Sequence, residues 1–183
     1  MTDTAIVGEN VEIIQTRGPR SAFSWSVVIA GALAAWAVAF IVISLGTGIG
    51  LAISTPYSGP STTSMTIAGA VWLVLAETLA FATGGYLAAR LRIRDHIPGP
   101  ETKFRDAAHG FMAWVVGVAL MVAALVITGV LSAHADGQTA TAMSDEARKA
   151  AAYLSFWSFL ALLFGAVAAT LAGILGGELR DEI

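Results

Sequence analysis

Hydrophobic and polar positions along this chain separate into long blocks. No Asp, Glu, Lys or Arg occurs between Arg20 and Glu77, between Ala107 and Ala135, or between Ala150 and Gly177. Apolar runs of about 18 residues or more have the length of a membrane-crossing helix, and the polar interruptions between them carry helix breakers. Four spans follow, at about 22–53, 66–91, 107–133 and 150–176. The 54–64 segment holds Pro56, Gly59 and Pro60 among Ser and Thr, a cluster that favours a loop. The 92–105 segment holds Pro98-Gly99-Pro100 and is not expected to be continuous helix. A turn is expected from Gly137 to Ser144, with Ser144 as N-cap and Asp145 and Glu146 at the positive end of the fourth helix. That helix would be roughly 48 Å long against a hydrocarbon core of ~30 Å. Its first turns, with Arg148 and Lys149, are therefore expected to stand outside the bilayer.

The pattern predicts an all-α fold, an integral membrane four-helix bundle over 21–177. A tail at 1–20 would precede it and a tail at 178–183 would follow. The second span ends Gly84-Gly85-Tyr86-Leu87 with Arg90 close behind, and the fourth ends Gly176-Gly177-Glu178-Leu179-Arg180. Their similarity suggests a tandem pair of helical hairpins.

Composition agrees with the blocks. Hydrophobic residues make up 56% of the 183 and charged residues 13%, with a mean hydropathy of +0.74. Soluble domains carry about 25% charge, so a soluble enzyme, a nucleic-acid partner and a disordered chain are all excluded. With no cysteine, disulfides, thiolate metal sites and cysteine nucleophiles are excluded too. The first 20 residues contain Asp3, Glu9 and Glu12 without an early basic stretch, so the first span is expected to be retained as a signal anchor.

The net charge of −3 says little, but the placement of Lys and Arg says more. Arg17, Arg20, Arg90, Arg92, Arg94, Lys103, Arg105 and Arg180 fall on one side of the spans, Arg148 and Lys149 on the other. The positive-inside rule then places both termini and the middle loop in the cytoplasm, in a cell inner membrane. The cluster Arg90, Arg92, Arg94, Lys103 and Arg105 could also attract anionic lipid headgroups, at about 1 kcal/mol per charge near the surface.

Within lipid, close helix contact depends on small residues, because the tails are as apolar as the side chains. The fourth span repeats Ala161, Gly165, Ala169, Gly173 and Gly177 at every fourth position, and the second repeats Ala76, Ala80, Gly84 and Ala88. The first offers Gly31, Ala35 and Ala39, then Gly46 and Gly50. These faces are expected to pack inside one bundle or to join a homo-oligomer or larger membrane complex.

One charge breaks the pattern. Glu77 stands near the middle of the second span, where a charged group costs about 2.5 kcal/mol or more by insertion scales and is a functional candidate by default. At 100° per residue, Ala70, Ala80, Gly84 and Ala88 lie within about 60° of it, so it should point into the bundle. A carboxyl there is expected to stand neutral and to need hydrogen-bond partners; the indole of Trp36, at similar depth in the first span, is the candidate donor. The structural reading is an interhelical hydrogen bond; the functional readings are a proton or cation site, or a contact to a partner subunit.

No metal or cofactor site is predicted. Asp106 and His109, at i, i+3 with His96 and Glu101 nearby, read as solvated or capping groups, as does His134-Ala135-Asp136. No nucleophile–base pair supports an enzyme.

The stretches Trp25-Ser26-Val27-Val28-Ile29-Ala30-Gly31-Ala32 and Leu45-Gly46-Thr47-Gly48-Ile49-Gly50-Leu51 carry a resemblance. With them go Gly84-Gly85-Tyr86-Leu87-Ala88 and His109-Gly110. Over most of 20–180 the chain resembles a family of small, uncharacterised four-helix bacterial inner-membrane proteins. The resemblance implies a bacterial cytoplasmic membrane and implies no activity. The expected function is a non-enzymatic accessory or scaffold subunit, with a small oligomeric channel or proton-coupled transporter using Glu77 as the alternative. Against the alternative, the spans offer little polar lining for a solute path.

Overall fold

The computed structural model describes residues 23–53, 62–93, 99–136 and 145–182. The predicted tail 1–20, the turn ending at Ser144, and Arg94 and His96 lie outside these residues. Among the described residues the regular elements are four helices: α1 (Trp25–Ile53), α2 (Thr62–Arg90), α3 (Pro100–Asp136) and α4 (Asp145–Asp181). Each is long and apolar enough to cross a membrane, so the chain is an all-α, multi-pass membrane protein.

Helix ends differ from expectation at two places that matter. α3 starts at Pro100, within the segment expected to be a loop. A proline has no N–H to lose at the first helical position and its φ suits that site, so Pro100 opens the helix and does not block it. α4 continues to Asp181, which makes the predicted C-terminal tail mostly helical and brings Arg180 onto the bundle. Both helices have 37 residues and so are about 55 Å long, with turns to spare beyond the hydrocarbon core.

α2 touches all three other helices and meets α4 most extensively, while α3 touches α1, α2 and α4. Among the described residues α1 and α4 do not meet. α2 and α3 thus form the short diagonal of the bundle. A two-fold relation between hairpins would pair the α2–α3 contact with an α4–α1 contact, which is missing. The hairpins are alike in how they close, each on one glycine pair, and unlike in how they meet.

Those glycine pairs are Gly31 with Gly84 and Gly110 with Gly173. A Cβ on Gly84 would fall 2.6 Å from the Gly31 carbonyl oxygen, and one on Gly173 would fall 2.7 Å from the Asp106 oxygen and 3.2 Å from the Gly110 Cα. Gly85 against the Ala169 backbone closes α2 on α4 in the same way. The stripe Ala161, Gly165, Ala169, Gly173 and Gly177 is buried along its whole length, as are Ala80 and Gly84. These faces are covered inside the chain.

Phe81 shows how the small residues are used. Its ring lies 2.7 Å from where a Cβ on Gly117 of α3 would be, and 2.8 Å from one on Gly165 of α4. It fills both notches and forms a core cluster with Ala35 and Ala169, flanked by Trp114 and Val118. The Gly46–Gly50 pair is less uniform than expected. Gly46 lies directly under the Trp72 indole, but a Cβ on Gly50 would meet only the Met65 side chain, at 3.8 Å. Gly50 is therefore not a close-contact glycine.

Burial is uneven along the bundle axis. In α1 the buried residues are Val28, Gly31, Ala32 and Ala35; beyond them Phe40, Ile41, Leu45 and Leu51 are exposed. Leu125 and Val126 of α3 and Leu154 and Phe156 of α4 are likewise exposed. The helices are packed tightly where α1 and α3 begin and α2 and α4 finish, and they diverge toward the other end.

Two substitutions test this gradient. Gly110→Leu, which forces a side chain into the α4 backbone, should abolish a monodisperse peak in size-exclusion chromatography in mild detergent. Gly48→Leu, where a Cβ would meet nothing within 4 Å, should elute as the wild type does.

Candidate functional site

The packed end is organised around one carboxylate. Asp106 lies on α3 close to its N-terminus and is 2% exposed. Its Oδ1 accepts Nε of Arg92 at 3.0 Å and Nη1 of Arg180 at 3.1 Å, and its Oδ2 accepts Nη2 of Arg180 at 3.1 Å. Arg92 sits just past the end of α2 and Arg180 in the last turn of α4, so one carboxylate ties three helix ends together. Arg180 is fully used. Nη1 also donates to the Ala89 carbonyl at 3.0 Å, and Nε and Nη2 donate to the Asp181 carboxylate at 2.9 and 3.2 Å. These account for all five donors of a guanidinium. Gly177 makes the arrangement sterically possible, because a Cβ there would collide with the Asp106 carboxyl.

His109, one turn along α3, is 1% exposed. Its Nε2 accepts the Ser24 backbone N–H at 3.1 Å, and its Nδ1 lies 2.7 Å from the Arg105 carbonyl oxygen. A neutral ring protonated on Nδ1 satisfies both contacts, the first as acceptor and the second as donor. Phe23 stacks on the ring with centroids 4.7 Å apart. His109 thereby docks the start of α1 on α3, the fourth helix end at the cluster.

Asp106 and His109 are therefore buried structural groups, where solvated or capping roles were expected. The Asp106 contacts depend on α3 starting early and on α4 running late. The predicted basic surface changes with them. Arg92 is withdrawn into the bundle; Lys103 pairs with Glu178 at 2.7 Å and Arg105 with Glu101 at 2.8 Å. Arg90 is half-buried, with Nη1 lacking a hydrogen-bond partner. Arg94 falls outside the described residues. The cluster is thus largely neutralised by acids that the helix extensions bring alongside it. A signal for this was present: Asp106 closes a segment that holds five cations, and Gly176-Gly177 precede Arg180 by one turn.

The second site lies within the spans. Glu77 of α2 is 8% exposed and shares its buried face with Ala70, Ala80, Gly84 and Ala88. It stands between two cavities. One, of about 180 Å³, lies against α1 and α3 and is lined by Trp36, Phe40, Phe81 and Met121 among others. The other, of about 80 Å³, lies toward α4 and is lined by Leu73, Met121, Ser158 and Leu162.

Trp36 is not the partner of Glu77. Its Nε1 donates to the Gly117 carbonyl at 3.0 Å, which fastens α1 to α3, and an indole has a single N–H. Trp72 does the same between α2 and α1, donating to the Val42 carbonyl at 3.0 Å. Thr78, Thr83 and Thr170 bond carbonyls of their own helices. No hydrogen bond from the described residues reaches the Glu77 carboxyl. Trp114 and Trp157 each bury an indole N–H that has no acceptor among the described residues. Among the described residues no three His, Cys, Asp or Glu side chains gather as a metal site would require.

Comparison of the chain with protein-family models, with curated proteins and with solved structures gave no match.

Removing one member of a buried ion cluster leaves the others uncompensated, at a cost of about 3–5 kcal/mol. Asp106→Ala should lower the midpoint of thermal unfolding in detergent strongly. Arg180→Lys should lower it as well, since an ammonium lacks the planar fork. Lys103→Ala, whose pair stands in solvent, should leave the midpoint unchanged.

Proposed function

We propose that the chain is a non-enzymatic accessory subunit of a membrane complex, held in a bacterial inner membrane with both termini in the cytoplasm. The observation that carries this reading is the uneven closure of the bundle. One end is fixed by the Asp106 cluster and by glycine contacts. The other leaves a groove of about 320 Å³ between α1 and α2, lined by Ile43, Gly46, Ile49, Gly50, Met65 and Trp72. The small-residue stripes of α2 and α4 are already used inside the bundle, so association runs through this groove, where Gly50 leaves room for a partner's transmembrane helix. Such packing is the usual driving force for association in lipid.

Orientation follows from charge. Eight of the ten Lys and Arg fall on the side of the termini and middle loop, the side the positive-inside rule assigns to the cytoplasm. A channel is not favoured, because the cavities around Glu77 are walled mainly by apolar side chains.

Extraction of native membranes in mild detergent, followed by sizing and mass spectrometry, tests association. The wild type should travel in an assembly larger than one chain, and Gly50→Leu should release it as a folded monomer. A wild type that elutes alone would overturn the accessory role. For orientation, the absence of native cysteine permits single-site labelling of intact cells. Asp145→Cys should react with an impermeant maleimide and Glu182→Cys should not; the reverse pattern would invert the topology.

A further inference from the structure

Glu77 presents a combination that internal packing does not account for. The residue is 8% exposed, no hydrogen bond from the described residues reaches its carboxyl, and it lines both cavities. A carboxyl in a low-dielectric site left without partners is costly whether ionised or neutral. Neither cavity is lined by another titratable side chain, so no cation among their lining residues faces the carboxyl.

The chemistry of the walls narrows what could supply it. A metal ion needs several oxygen ligands, and the two cavities offer one carboxyl and the Ser158 hydroxyl. A hydrated ion would meet Ala35, Phe40, Ile43, Phe81 and Met121, which cannot replace its water. An organic ammonium ion differs: its charge would be matched by the carboxylate and by the faces of aromatic rings, and its carbon substituents by the apolar walls. Trp36, Phe40 and Phe81 all line the larger cavity beside Glu77. At about 180 Å³ that cavity is smaller than the 300–1,000 Å³ typical of drug-sized sites, so the ligand is compact. Its walls belong to three apolar spans, so a ligand that reaches it from the bilayer must be lipophilic.

We propose that the Glu77 cavity is a binding site for a compact lipophilic ammonium ion, with the Glu77 carboxylate as counter-ion and the surrounding rings as its walls. Binding converts the carboxyl to carboxylate, so a proton leaves Glu77 as the cation enters. The site does not depend on association with another subunit.

Benzyltrimethylammonium is a suitable probe, with its uncharged carbon isostere neopentylbenzene as control. Calorimetric titration of the full chain in nanodiscs at pH 8 should give saturable binding of one probe per chain. Repeating it in buffers of different ionisation enthalpy should reveal proton release. Glu77→Gln should weaken binding at least tenfold while keeping the helical circular dichroism of the wild type, and the neutral isostere should bind at least tenfold more weakly. Should Glu77→Gln fail to fold, Ala39→Phe, which fills the cavity and leaves the carboxyl in place, should abolish binding in its stead. No binding by the wild type, equal binding by Glu77→Gln, equal binding of the neutral isostere, or unchanged binding by Ala39→Phe would each overturn the proposal.

Discussion

Asp106 shares its carboxylate between Arg92 and Arg180, and the packing of the bundle follows from that contact. It joins the ends of α2 and α4 to the start of α3 at a depth where solvent is excluded. Buried ion clusters add little net stability, because desolvation offsets the attraction, but they tolerate very few alternative arrangements. Here the geometry is strict. Arg180 spends every donor on a defined acceptor, and His109 one turn away brings in the start of α1. All four helix ends are thus placed by side chains within two turns of α3.

Glycine allows this cluster to form. Gly177 leaves the space that the Asp106 carboxyl occupies, and Gly173 lets the α3 backbone pass. In water such contacts would be supplemented by the hydrophobic effect; in lipid, close packing and interhelical hydrogen bonds carry association. The indole bonds of Trp36 and Trp72 to carbonyls on neighbouring helices belong to the second kind. The close backbone contacts concentrate toward one end, while the Trp72 bond to Val42 holds α2 to α1 in the looser half. The groove between α1 and α2 and the Glu77 cavities lie on the looser side of that gradient.

The firm end holds the bundle's shape, while the open end leaves apolar helix faces uncovered by the chain's own described helices. Glu77 adds a carboxyl to an otherwise apolar interior. Its carboxyl belongs to the same buried face as Ala80 and Gly84, but it lies beyond the contacts that Gly84 and Gly85 make with neighbouring backbones. This position explains how a side chain can be covered and still lack a partner.

The block pattern of the sequence determined the four spans, because membrane insertion depends on length and hydropathy, which are local properties. Helical periodicity likewise determined that Glu77 shares a face with Ala80, Gly84 and Ala88, and fourfold spacing marked the stripe from Ala161 to Gly177. What the tertiary structure decided was pairing. A charge near a helix end reads as solvated unless its neighbours in space are known, so Asp106, Arg92, Arg180 and His109 looked like surface groups. Pro100 looked like a barrier to helix because proline disfavours helix everywhere except its first turn. Trp36 stands at the right depth for Glu77, but a single N–H has one destination, and the Gly117 carbonyl took it. Distance along the chain encodes faces and spans; which faces meet, and which polar group is left over, is settled only when four helices compete for the same contacts.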